Sequence, residues 1–394
     1  MISRSSVPPR VNSRPAVLAA VVLGLFWCVE GIDVNAPQLD RLVLLLTGLG
    51  LAWAALRDVP LVAGCTAYYA VLVAASERLH RQPLLDGSDV MRATAESLDV
   101  VFAGGNPYTH VLQSTVPVGS PFVYPPGELA WYAGPYLLFG DITRVDTWAG
   151  IAIAAAIAVA GFRVGMANVA LPAMLYASWG VGGFRAVDGQ NDVSGSLLVV
   201  LALVALVFAE RGGGFADHDG RWSRVAFVLS AVLFGWAIAF KQFAVLVLPP
   251  VVRYVAVRGG DWKRYALIVA GVVAAFVTPF FVQDPGAFVE KQIAALTFHD
   301  EIWGANILHT LSQYGDVTML VPMFMILSLA GTLGLALLVS RWDIPTLGAA
   351  ALAGAGIVMV PLLLARWTTQ PYYVYVGAIA ACGVALLTSR IRTE

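Results

Sequence analysis

Charge is the first thing this chain has little of. Of its 394 residues only 12% are Asp, Glu, Lys or Arg, while 59% are hydrophobic. A soluble domain carries roughly a quarter charged residues, so there is too little charge here to cover a water-facing surface. A formal net charge of −1 argues against nucleic acid as a partner. Cysteine is scarce too. Cys28, Cys65 and Cys382 each lie inside an apolar run, which leaves neither a disulfide framework nor a cysteine metal site. Alternating apolar segments, low-complexity tracts and internal repeats are also missing, which excludes a barrel. What remains is an all-α polytopic membrane protein, whose backbone polar groups are satisfied within helices.

Apolar runs long enough to span a bilayer fall at 15–31, 41–57, 59–76, 122–139, 146–163, 194–210, 225–240, 242–257, 263–282, 317–339, 344–364 and 371–389. That predicts about twelve transmembrane helices, with a broken thirteenth segment at 166–182 read as re-entrant. Cations assign the sides. Arg4, Arg10, Arg14, Arg57, Arg144, Arg211, Arg221, Arg224, Arg253, Arg258, Lys263, Arg264, Arg341, Arg390 and Arg392 fall on one set of loops. Arg41, Arg78, Arg81, Arg92, Arg163, Arg185, Lys241, Lys291 and Arg366 fall on the other. The first set is expected to be cytoplasmic, with both termini inside and the N-terminal helix a retained anchor. The large loops 77–121, 183–193, 283–316 and 365–371 then face outward. Two parts are expected: 1–57, a tail with an apolar hairpin, and 58–394, the main transmembrane domain.

The outer stretch from Asp89 to Pro126 is where ionisable and turn-forming residues gather. Residues 89–103 form an expected interfacial helix, with an apolar face of Val90, Ala93, Leu98, Val101 and Phe102 opposite Arg92, Glu96 and Asp99. Asp89 at its start is either a helix cap or a general base held within reach of a hydroxyl. Gly104-Gly105-Asn106-Pro107-Tyr108 is a chain reversal, and Tyr124-Pro125-Pro126 opens the next apolar run. Lys241, in FGWAIAFKQFAVLVLPP, is an ionisable group among apolar ones. It either meets an anion or snorkels to the interface. Arg366 in ARWTTQPYY is open to the same two readings. Gln190 and Asn191 offer amides, as sugar ligands or as a helix cap. His299-Asp300-Glu301 raises a divalent metal, but adjacent residues do not share one helical face, so no metal or other cofactor is expected. His299 and His309 read as structural or sugar-contacting groups, and Trp303 as a sugar platform or lipid contact.

Asp89, the Gly-Gly-Asn-Pro-Tyr turn, Tyr124-Pro125-Pro126, Gly189-Gln190-Asn191 and Lys241 with Pro249-Pro250 stand in an order that resembles glycosyltransferase family 87. That family belongs to the polyprenyl-phosphate-sugar-dependent GT-C superfamily, and the resemblance covers about 59–390. It implies a GT-C-like bundle with Asp89 as catalytic base and Lys241 and Arg366 on the donor phosphate. Asn106, Tyr108, Tyr124, Gln190, Asn191, Trp303 and His299 would contact sugar or acceptor. The implied activity is inverting transfer of a sugar, commonly mannose in that family. The donor is a polyprenyl-phosphate sugar, the acceptor a lipid-linked glycan or glycolipid, and the site the outer face of the plasma membrane. Residues 1–57 depart from the family by adding a hairpin, and Asp86 and Asp99 share the loop with Asp89. The competing expectation is a transporter or lipid flippase, which predicts repeats with ionisable groups near the midplane of both halves.

Overall fold

The structure is a computed structural model. It describes residues 70–72, 74–75, 78–79, 89–164, 173, 176–177, 180–210, 215, 220–297 and 301–387. Helices dominate: α1 Asp89–Phe102, α2 Pro126–Phe139, α3 Val145–Val164, α4 Gly180–Val187, α5 Asp192–Ala209, α6 Arg221–Phe240, α7 Ala244–Val257 and α8 Trp262–Gln283. They continue as α9 Pro285–Thr297, α10 Ile307–Ser312, α11 Val321–Arg341, α12 Leu347–Leu364 and α13 Gln370–Leu386. Residues 1–57, and with them the expected N-terminal hairpin, lie outside the described residues.

Helix α5 is apolar on every side, and it lies at the centre: 89% of its span is buried, against α6, α3 and α13. Helices α8 and α11 are equally apolar, yet only 11% and 17% of their spans are buried. Leu267, Ile326, Leu329 and Leu337 stand exposed there. Apolar faces of that size are stable only against lipid. Five helices are long and apolar enough to cross a membrane, and α7 and α13 are shorter apolar helices of the same bundle. Helix α6 ends at Phe240, Lys241 is extended (φ −148°, ψ 124°), and α7 begins at Ala244. The expected break between 225–240 and 242–257 is therefore where the chain turns.

One expected crossing is corrected. The segment 122–139 contains α2, whose 14 residues extend about 21 Å, short of a hydrocarbon core of about 30 Å. Both flanks of α2 lie at one end of the bundle. The Tyr132 hydroxyl, in its second turn, donates to Asp146 Oδ2 at 2.7 Å. Asp146, in the first turn of α3, also accepts from Ser194 N at 3.0 Å, in the first turn of α5. Lys241 bonds Asn191 at that same end. Arg144 and Lys241 therefore share a side, contrary to the charge-based assignment. Because α3 and α5 both start here, the chain has to return once between Val164 and Asp192. Between them residues 173, 176–177 and helix α4 are described; most of 166–182, expected to be re-entrant, lies outside the described residues. An apolar run of span length misled because hydropathy does not register a reversal.

Helix α1 is amphipathic but rotated from expectation. Met91, Ala93, Thr94, Ser97 and Leu98 are buried, whereas Phe102 is exposed. Small hydroxyl side chains allow close packing on α2, so the inner face is not the most apolar one. Beyond α9, β1 (Trp303–Gly304) pairs in parallel with β2 (Trp367–Thr368), tying the loop after α9 to the one before α13. Gly304 has φ 104°, and a Cβ there would fall 1.9 Å from the Thr368 carbonyl oxygen. Only glycine fits.

Candidate active site

Four acidic residues occupy the first turns of four helices: Asp89 on α1, Glu128 on α2, Asp146 on α3 and Asp192 on α5. A carboxylate is favoured there by the positive end of the helix dipole. Glu128, Asp146, Asp192 and Lys241 are 0–4% exposed, so most of this charge is withdrawn from water.

Lys241 is the hub. Its Nζ donates to Asn191 Oδ1 at 2.7 Å and forms an ion pair with Asp192 Oδ1 at 2.6 Å. The Tyr372 and Tyr124 rings approach it to 5.2 and 5.9 Å, in cation–π contact. Snorkelling is excluded by this burial. The turn that carries Asn191 begins at Gly189 (φ 70°), where a Cβ would meet Met91 Cγ of α1 at 2.5 Å. The glycine brings α1 against the start of α5.

Glu128 links α1 to this hub. Its Oε1 lies 2.7 Å from the Thr94 hydroxyl, Asn191 flanks it, and Lys241 and Asp146 act on it through space. Helix α2 does not cross the bilayer, yet Glu128 is sealed among side chains. That burial pushes its pKa up to about 8, against the smaller opposing pull of Thr94, Asn191 and Lys241.

Asp89 is half-buried. Its Oδ2 accepts from Val116 N at 3.3 Å, twenty-seven residues on, rather than from its own first turn. The cap alternative therefore does not describe its hydrogen bonding. Asp89 acts on the hub through space, by way of the Tyr124 phenol. Burial raises the Tyr124 pKa well above its ordinary value, and Glu128, Tyr372, Asp192 and Asp89 raise it further. Glu96, two turns further along the same face of α1, holds the same loop. It accepts from Gln113 N, Ser114 N and Oγ, and pairs with His110. Burial alone would raise its pKa, but those bonds together lower it to about 2.

The structure thus brings together Tyr124, Asn191 and Lys241 of the sequence-predicted residues, with Asp89 acting on Tyr124 through space. Tyr108 is support rather than lining: it is fully buried among Phe122, Phe280 and Phe288, and its hydroxyl donates to the Tyr124 carbonyl at 2.7 Å. Asn106 closes its own turn, accepting from Tyr108 N at 3.0 Å. Gln190 is half-buried, with its backbone N–H on the Arg185 carbonyl. Arg366 and Trp303 meet in the two-stranded sheet instead, where Trp303 N donates to the Arg366 carbonyl and the Trp303 and Trp367 rings stand 4.9 Å apart. His299 lies outside the described residues. Sequence reasoning missed Glu128, Asp146 and the pairing of Asp192 with Lys241. Their signal was there: an acid in the first turn of an apolar helix needs a partner. Among the described residues, no group of three or more His, Cys, Asp or Glu side chains is disposed to hold a metal ion.

No family model matches the sequence, and no curated protein matches it at a significant level. Solved structures do. ArnT from Cupriavidus metallidurans bound to undecaprenyl phosphate is 18% identical with a TM-score of 0.50, over 82% of this chain and 58% of ArnT. The apo state of ArnT gives 0.51 with the same coverage. The Archaeoglobus fulgidus oligosaccharyltransferase tethered to an acceptor peptide is 14% identical with a TM-score of 0.50, over 82% of this chain and 49% of that one. The chain therefore spans about half to three-fifths of these structures. At such identities the likeness is one of architecture: the chain has the fold of the polytopic GT-C membrane glycosyltransferases.

Proposed function

We propose that the chain is an inverting glycosyltransferase of family-87 type, acting on the extracytoplasmic face of the cell membrane with both termini in the cytoplasm. It takes a sugar from a polyprenyl-phosphate donor and gives it to a lipid-linked glycan or glycolipid. The sugar we propose, mannose, rests on the sequence resemblance alone. The observation that carries the reading is a half-buried Asp89 beside the Tyr124–Lys241–Asn191–Asp192 cluster, at one end of a GT-C bundle.

The chemistry follows from the placement. Asp89 takes the proton of an acceptor hydroxyl as its oxygen attacks the anomeric carbon. The bond from that carbon to the phosphate oxygen breaks, and the polyprenyl phosphate leaves with the electron pair. An ammonium has three N–H donors; Asn191 accepts from one on Lys241 and Asp192 pairs with its charge, which leaves donor capacity for a phosphate oxygen. Arg366, just before β2, is the second cation that the sequence resemblance assigns to the phosphate. Both stabilise charge that grows on the leaving group.

Purified protein in lipid nanodiscs, given radiolabelled polyprenyl-phosphate mannose and membrane lipids, is expected to form labelled glycolipid. Asp89→Asn should lower kcat by about 10²–10⁴-fold, the usual worth of a general base, with unchanged melting temperature. Full activity in that variant removes Asp89 from the mechanism. Movement of intact sugar lipid between leaflets, with no transfer, identifies a flippase instead.

A further inference from the structure

Two acceptors compete for one proton on α1. The Thr94 hydroxyl oxygen lies 2.8 Å from the Val90 carbonyl oxygen and 2.7 Å from Glu128 Oε1. A hydroxyl has a single proton to give. If Glu128 were ionised, one of these two short contacts would join acceptors with no hydrogen between them. Both become hydrogen bonds when the carboxyl carries the proton. Glu128 then donates to Thr94 Oγ1, and Thr94 donates to the Val90 carbonyl.

The surroundings favour the same protonation state. Glu128 is fully buried, and its Oε2 has no hydrogen-bond partner among the described residues. An unpartnered oxygen is far more costly on a carboxylate than on a neutral acid. The groups that face it are Thr94 from α1, Asn191 from the turn before α5, Asp146 from α3, Lys241 from the α6–α7 turn, Tyr132 from its own helix, and Tyr108 and Tyr124 from the preceding loop. The cation in that set, Lys241, is already paired with Asp192. Buried Asp146 on the neighbouring helix therefore opposes another negative charge, and the one ammonium nearby is shared with Asp192.

We infer that Glu128 is a positioning residue held as a neutral acid. Its proton relay through Thr94 to the Val90 carbonyl fixes the first turn of α1, and thereby the direction of the adjacent Asp89 carboxylate. The inference rests on the transferase reading of Asp89, but the proton on Glu128 can be read without it. With the pKa at about 8, the relay is intact at neutral pH and is lost as pH rises through that value.

Infrared spectra of the full chain in nanodiscs are expected to show a protonated carboxyl band at pH 7. Glu128→Gln should remove it, and raising the pH past about 8 should titrate it away. A band at pH 7 unchanged by that substitution overturns the neutral acid. In the transfer assay, Thr94→Val should lower kcat on the order of tenfold, as a displaced base does, with little change in KM. Glu128→Gln, whose amide still donates to Thr94, should restore turnover relative to Glu128→Leu and flatten the alkaline fall of the wild-type kcat profile. Wild-type kcat in Thr94→Val, or an alkaline fall unchanged in Glu128→Gln, overturns the relay. A wild type that transfers no sugar while the band behaves as expected removes the transferase reading and Asp89's role, and leaves the protonated Glu128 standing.

Discussion

At the far end of the bundle, Glu210 accepts from the Tyr254 hydroxyl and from Nε and Nη2 of Arg258. Arg253 meets Asp343 at 2.9 Å with the carboxylate 89% exposed. Each of these two acids has its own cation, and water reaches both pairs. At the site end, Lys241 and Asp192 are 5% and 3% exposed, and the same ammonium is the cation facing Glu128. Both ends cap apolar helices with charge, so membrane anchoring alone does not explain the contrast. Buried, under-compensated acids are a destabilising arrangement that stability would not select, and such groups gather where chemistry is done.

Three substitutions sharpen or break this contrast. Lys241→Met should have the largest effect on stability, about 3–5 kcal/mol, because it leaves Asp192 buried without its cation. A melting temperature equal to wild type in nanodiscs would show that the ion pair does not hold the site end together. Glu210→Gln should cost about 1–2 kcal/mol, since its charge-assisted bonds weaken while their geometry survives. Arg253→Gln should cost less than about 1 kcal/mol, as an exposed pair does. Added salt should erase the Arg253 difference and leave the Lys241 difference in place. If salt abolishes both, the two ends do not differ in solvent access as the structure shows.

Much of the site was legible. Lys241 stood out because the apolar run around it offered it no anion, and the structure supplies one from another helix. Asp89 was legible by its place before the Gly104-Gly105 turn. Glu128 was not singled out, because in Tyr124-Pro125-Pro126-Gly127-Glu128 it reads as an ordinary first-turn acid. Its partners, Thr94 and Asn191, lie 34 and 63 residues away. The two-stranded sheet was illegible for a different reason. Two residues on each strand carry no periodicity, and Gly304 looks like any loop glycine until the Thr368 carbonyl is brought against it.

By itself the sequence determined the solvent. With so little charge and such long apolar runs, lipid is the medium in which this chain can fold, and its helices follow from that. Side and direction were decided only by tertiary structure. Hydropathy counts a run of apolar residues the same way whether it crosses the bilayer or turns back, so 122–139 looked like a span. Asp146 meeting both Tyr132 and Ser194 shows that the chain had come back to its starting end. The same contacts decided which acids share a cluster, because four helix starts far apart in sequence meet in space only once the bundle is packed.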